Sequence, residues 1–242
     1  MRAMLLGLAG WCGALGWPGT PAAMAMTNRW DAEVAAFARH DATNPPPPRP
    51  VVMVGSSSIR AWKTMASDLP GQPVLNRGFG GSHLSDVNHH FDAAVAAARP
   101  GCIVLYAGDN DVAAGKPPAE VSRDFAEFRR LVKERVPGAR CAFLAIKPSP
   151  KRAGMLALQR EANARVRAQV EADDAWTFLD TFAPILGPDG QPDPACFRQD
   201  QLHLNAEGYR RWTQVVRPWL EGKEAREGAG QGRAKAKEAA RP

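Results

Sequence analysis

The stretch Val51–Trp62, "VVMVGSSSIRAW", decides the reading of this chain. Four apolar residues lead into Gly55, and three serines follow where the apolar run stops. A short continuous apolar run closed by glycine is the mark of a strand buried on both faces. Serines after a strand have two readings, a polar turn that caps a helix or a nucleophile presented at the strand's carboxyl end. The choice rests on residues far along the chain.

Similar runs recur at 73–78 ("PVLNRG"), 102–108 ("CIVLYAG"), 141–148 ("CAFLAIKP") and 176–180 ("WTFLD"). Helical patterns alternate with them. In "PPAEVSRDFAEFRRLVKERV", Val121, Phe125, Phe128 and Val132 form one apolar stripe, and Pro117–Pro118 mark its start. Further helices are expected over 27–42 (Trp30, Val34 and Phe37 on one face), over 153–172, and from Ala206 to Leu220. This alternation predicts an α/β fold of three layers around a five-stranded parallel sheet. In such sheets ligands bind beyond the carboxyl ends of the strands.

The polar clusters fall at those ends. Ser56–Ser58 follow the first run, "NRGFGGSHLSD" the second and "GDND" (108–111) the third, while "DQLHLN" (200–205) precedes the last helix. Together they supply candidates for a nucleophile, a base, a group that orients the base, and donors for an oxyanion. Singly each is weak, since a glycine cluster is usually a turn and "GDND" equally suits a turn or a cation.

In order and placement these four blocks resemble the SGNH or GDSL-type hydrolases, over roughly residues 50–220. The resemblance implies the sheet order 2-1-3-4-5 of flavodoxin-like folds. Aligning Gly55 with the family's Gly-Asp-Ser motif makes Ser57 the nucleophile, with Ser56 in the Asp position and Ser58 in the following apolar one. Trp62 follows at a distance the family also uses. Ser56 in that place removes a carboxylate able to accept backbone N–H bonds strongly. The resemblance further implies His203 as base and Asp200 as its orienting carboxylate. Gly81 (in "N-x-G-x-x-G", Asn76, Gly78, Gly81), Asn110 and the Ser57 N–H are then the oxyanion donors.

The activity so implied is a serine esterase acting on a small or soluble ester such as an acetyl ester, with no metal or organic cofactor. No long insertion suited to a lid is present, and none of the loops is strongly apolar. The alternatives are a carbohydrate O-acyltransferase using the same acyl-enzyme, or a binding domain without catalysis. Of the remaining polar residues, Arg60 reads as a solvated helix residue and Asp86 as support for a helix start. Asp111 reads as a loop-backbone acceptor, and Lys147 and Ser149 as residues lining the cleft.

The 242 residues are 45% hydrophobic and 23% charged, which suits one sizeable core. Residues 1–25 carry Arg2, an apolar run and small residues at Ala23 and Ala25, the pattern of an export signal. Residues 26–50 read as a helix and a Pro-rich entry ("NPPPPRP"), 51–220 as the catalytic domain, and 221–242 as a disordered basic-leaning tail. An exported, periplasmic or secreted, protein is therefore expected, or a cytoplasmic one if the chain truly starts at Met26. The net charge is +6, but no basic face with interleaved aromatics suggests nucleic acid, and no run is long enough for a stable membrane anchor. Beyond the leader, Cys102, Cys141 and Cys196 do not read as a disulfide framework. Adjacent His89 and His90 are not expected to act as a ligand pair, because neighbours on a helix diverge.

Overall fold

In the computed structural model, residues 28–222 are described. The expected export signal and all but the first two residues of the expected tail lie outside them. Five strands form a wholly parallel sheet in the order β2-β1-β3-β4-β5: β1 (Val51–Gly55), β2 (Val74–Gly78), β3 (Cys102–Tyr106), β4 (Arg140–Leu144) and β5 (Trp176–Leu179). This is the predicted order, with β1 and β3 side by side at the point where the chain reverses direction across the sheet.

Both faces of the sheet are covered, which is why the runs are apolar at every position. Val52, Val54, Ile103, Leu105, Cys141 and Phe143 point into one core layer with helices Pro118–Arg135 and Leu156–Glu171. Val51, Met53, Val104, Tyr106, Ala142 and Leu144 point into the other, under helix Ala206–Leu220. The stripe Val121, Phe125, Phe128 and Val132 is buried as expected. Each such apolar side chain contributes roughly 1.5–3 kcal/mol by leaving water.

The parity of the strands also settles the cysteines. Cys102 pairs in register with Arg140 and Ile103 with Cys141, so the two thiols face opposite layers. Burial pushes Cys102 and Cys196 up to about 11 and Cys141 higher still, leaving all three as inert apolar groups.

The first helix spans Asp31–Thr43 and packs Trp30 and Val34 into the first layer. It is latched to β2 by Arg77, which is 4% exposed and donates from Nη2 to both Asp41 carboxylate oxygens at 2.7 and 2.6 Å. Among the described residues no helix is long and apolar enough to cross a membrane.

Candidate active site

Gly55 closes β1 at φ 137°, a region closed to other residues, and a Cβ there would run into the Tyr106 carbonyl. The chain then turns at once into the short helix Ser57–Arg60, with Ser56 as its cap residue. Ser56 and Ser58 are buried, whereas Ser57 is half-buried and turned outward. Gly78 at the end of β2 lies against the Ile59–Arg60 backbone so closely that no side chain fits between them. Asn76 bridges the same two segments, donating from Nδ2 to the Ile59 carbonyl at 2.7 Å and accepting from the Gly78 N–H at 3.0 Å.

The second half of the site arrives from the far end of the chain. Residues 197–204 form a tight loop closed by a bridge between Phe197 and Leu204, with the Arg198 N–H donating to the His203 carbonyl at 2.8 Å. Asn205 then caps helix Ala206–Leu220 by accepting from the Gly208 N–H. Within the loop, Asp200 Oδ1 accepts from the N–H groups of Leu202 and His203, both at 2.9 Å. Its Oδ2 lies 2.6 Å from His203 Nδ1, and His203 Nε2 lies 3.0 Å from Ser57 Oγ.

A carboxylate only accepts, so Nδ1 carries the hydrogen and Nε2 is left as an acceptor facing Ser57. Desolvation opposes the Asp200 charge, but the bonds from the His203 ring and from the two backbone N–H groups outweigh it. They hold the carboxyl well below the usual range. Three residues separated by up to 146 positions thus form one hydrogen-bonded chain.

Gly81 lies in the loop after β2 and Asn110 in the short helix Asp109–Ala113 after β3, and β2 and β3 are the two neighbours of β1. Gly81 has φ 75°, where glycine is at ease. The Gly80 carbonyl accepts from Trp30 Nε1 at 2.8 Å, and the Gly81 carbonyl from Arg29 Nη2 at 3.0 Å. Gly80 C=O and Gly81 N–H belong to one planar trans peptide, so tying the oxygen towards Trp30 turns the Gly81 N–H the opposite way. Asn110 Nδ2 donates to the Ser82 carbonyl at 3.0 Å, which joins that helix to the loop after β2 and leaves one amide hydrogen uncommitted. Ser57 heads its helix, where an N–H has no intrahelical acceptor.

Beneath Asn110 lies a charged group that sequence reasoning missed. Asp109 is 4% exposed and Lys147 1%, with 3.1 Å between Oδ2 and Nζ. Arg152 Nη1 lies 2.6 Å from Asp109 Oδ1, while its Nη2 donates to Asn110 Oδ1 at 3.1 Å. Desolvation works to raise the Asp109 carboxyl, but the charges of Lys147 and Arg152 prevail and hold it below its usual range. The expectation that Lys147 and Ser149 line the cleft fails, because both are buried and Lys147 is drawn inward to Asp109. The available signal was a lysine directly after an apolar run, which must find a carboxylate if it is to be buried.

Three of the minor expectations hold geometrically. Asp111 accepts from the Leu84 N–H and from Lys116, Asp86 accepts from the His83 N–H at a helix start, and Arg60 is half-exposed against Glu33. A groove of about 890 Å³ lined by Arg129, Lys133, Asp173 and Trp176 lies at the amino ends of β4 and β5, away from this site.

The GDSL-like lipase/acylhydrolase family model matches residues 48–211, which is most of the chain. The chain belongs to that family. It is accordingly a carboxylic ester hydrolase, an SGNH/GDSL-type enzyme, and every strand of the sheet falls within the matched residues. No curated protein sequence matches the chain.

Among solved structures, the family fold is shared with a proposed acylhydrolase from Bacteroides fragilis at TM-score 0.70 and 20% identity, covering 81% of this chain and 99% of that one. A GDSL-like lipase from Bacteroides thetaiotaomicron superposes at 0.68 with 22% identity, covering 79% and 98%. An acetylxylan esterase from Geobacillus stearothermophilus, solved as a catalytic mutant, superposes at 0.58 with 14% identity, covering 70% and 92%.

Proposed function

We propose that the chain hydrolyses the carboxylic ester of a small or soluble alcohol through an acyl-serine intermediate on Ser57. The observation that carries this reading is the unbroken chain from Ser57 Oγ through His203 to Asp200, at 3.0 and 2.6 Å. As Ser57 Oγ bonds to the ester carbonyl carbon, His203 Nε2 takes its proton. The tetrahedral intermediate collapses, the C–O bond to the alcohol breaks, and His203 returns the proton to the departing oxygen. Water then repeats the sequence on the acyl-serine and releases the acid. Asp200, charged across the physiological range, orients the ring and stabilises the imidazolium.

The N–H groups of Ser57 and Gly81 and the uncommitted Asn110 amide hydrogen receive the oxyanion. All three are neutral, so none pairs permanently with the product carboxylate. Each is worth roughly 3 kcal/mol in the transition state. The catalytic mutants of the Geobacillus acetylxylan esterase carry alanine in place of a serine, an aspartate and a histidine, the last two spaced as Asp200 and His203 are. That parallel, with the absence of any long insertion between Gly55 and the Ser57 helix or between Tyr106 and Asp109, favours a short acyl group such as acetyl.

The test is release of p-nitrophenol from its acetate by the wild type and by Ser56→Ala, Ser57→Ala and Ser58→Ala. Only Ser57→Ala should abolish turnover while keeping the fold, and equal rates in all four proteins would reject the assignment. Longer acyl chains should be cleaved progressively more slowly.

A further inference from the structure

Helix Leu84–His89 ends at His90 and a second short helix begins at Phe91. The break removes the divergence that neighbours on a continuous helix would have. The rings of His89 and His90 meet at 4.8 Å between centroids, with their planes 85° apart. From a different element, Asp31 Oδ1 reaches within 3.7 Å of His90 Nε2. One ligand atom from each of Asp31, His89 and His90 lies within 4.8 Å of the other two.

His90 supplies a second and independent observation. It is 8% exposed, and its Nε2 is buried with no hydrogen-bond partner while aimed at the Asp31 carboxylate. A buried polar atom left in that state costs about 1–3 kcal/mol unless something completes it. A tetrahedral cation with bonds of about 2.0–2.1 Å holds its ligand atoms roughly 3.4 Å apart. The His90–Asp31 separation is already close to that value, and exposed His89 can supply the remaining adjustment by rotating.

We propose that Asp31, His89 and His90 form a binding site for one divalent transition-metal cation of the zinc type, with water completing the coordination. Two imidazoles and one carboxylate match the preferences of zinc, cobalt or nickel, whereas magnesium and calcium require an oxygen-dominated shell. The position gives such a cation a structural consequence. Asp31 directly follows Arg29 and Trp30, which hold the carbonyls of Gly81 and Gly80. His90 packs edge-on against Phe79, the residue before Gly80, at 5.7 Å. The cation would fasten the first helix to the loop that carries the Gly81 N–H. The proposal stands apart from the esterase mechanism and does not depend on it.

The test is calorimetric titration of the tag-free full chain with zinc chloride, with magnesium chloride as comparison. One stoichiometric zinc site with no magnesium response is expected. Asp31→Asn and His89→Ala alter side chains that are not buried and should fold normally, and each should weaken zinc binding at least about tenfold. His203→Ala, which removes the histidine bonded to Asp200, should leave the titration unchanged. Absence of a stoichiometric site in the wild type, wild-type affinity in both Asp31→Asn and His89→Ala, or loss of the site in His203→Ala would each overturn the proposal.

Discussion

Trp30→Phe separates the orientation of the oxyanion loop from the packing of the first helix. The indole is 7% exposed and stands edge-on to Phe79 at 6.1 Å, contacts that a phenyl ring largely keeps. What is lost is the Nε1–H bond of 2.8 Å to the Gly80 carbonyl. Such a bond is worth about 1 kcal/mol net. If it alone biases the peptide towards the orientation that aims the Gly81 N–H at the site, its loss reduces the productive population about fivefold. Complete loss of an oxyanion donor would instead cost roughly 100- to 1000-fold.

The variant should therefore show a kcat about five- to tenfold lower on p-nitrophenyl acetate with KM nearly unchanged, because the donor acts chiefly in the transition state. Thermal unfolding should show only a modest drop in stability. A kcat within twofold of wild type would refute the argument, leaving Trp30 as a packing residue alone. A matched fall in kcat and Tm greater than about 100-fold and 10 °C would mean that the loop had collapsed rather than turned.

Three further outcomes follow from the same geometry. Arg152→Met removes the donor that holds Asn110 Oδ1 and should lower kcat roughly tenfold without raising KM, as read from steady-state kinetics. Asp109→Asn strands buried Lys147 and should cost about 3–5 kcal/mol in urea unfolding at pH 7. The Asp109 carboxyl is depressed in the folded state, so its stabilisation is present above the unfolded value near 4 and is lost as pH falls through the folded one. The stability gap between wild type and Asp109→Asn should accordingly narrow only below about pH 4. Tyr209→Phe leaves the Ser58 carbonyl without its 2.8 Å donor and should cost about 1–3 kcal/mol by the same unfolding measurement.

The strands were legible because a parallel sheet covered on both faces demands apolar residues at successive positions, and Val51–Val54 and Ile103–Tyr106 meet that demand. The blocks that hold Ser57, Asp200 and His203 were legible from their places beyond a strand or before a helix, whereas the choice of those three residues within the blocks came from the resemblance to the family. The role of the first helix was not. Trp30 and Phe37 announce an amphipathic face, but nothing local shows that the indole N–H ends at Gly80, 50 positions away. The buried group of Asp109, Lys147 and Arg152 escaped for a similar reason, since its members come from a short helix, a loop and a 3₁₀ turn, and nothing local to Lys147 shows which carboxylate it meets. The break at His90 was hidden because nothing in "NHHFD" is a helix breaker.

The serine at position 56 replaces the acid of the family motif, and the structure shows how the turn is held without a carboxylate. On the sheet side, the Ser56 N–H donates to the Tyr106 carbonyl at 3.0 Å, and the Phe79 N–H to the Gly55 carbonyl at 2.9 Å, so both neighbouring ladders extend past the end of β1. On the other side the support comes from carbonyl acceptors. A helix of four residues gives its carbonyls few backbone donors: those of Ser57, Ile59 and Ala61 accept from the N–H groups of Ala61, Trp62 and Lys63, and that of Ser58 relies on a side chain. Tyr209 donates to that of Ser58 and Asn76 to that of Ile59, while Arg198 reaches that of Ala61. At about 1 kcal/mol each, the three together match one or two charge-assisted bonds to a carboxylate. They also come from three separate elements, β2, the last helix and the loop that carries His203. Ser57 is thus tied to the His203 loop through Arg198 as well as through its hydrogen bond to His203, and Trp62 stacks on Tyr209 at 5.2 Å on that side of the turn. Support of the serine by its carbonyls explains why a buried, uncharged Ser56 suffices where the family places an acid.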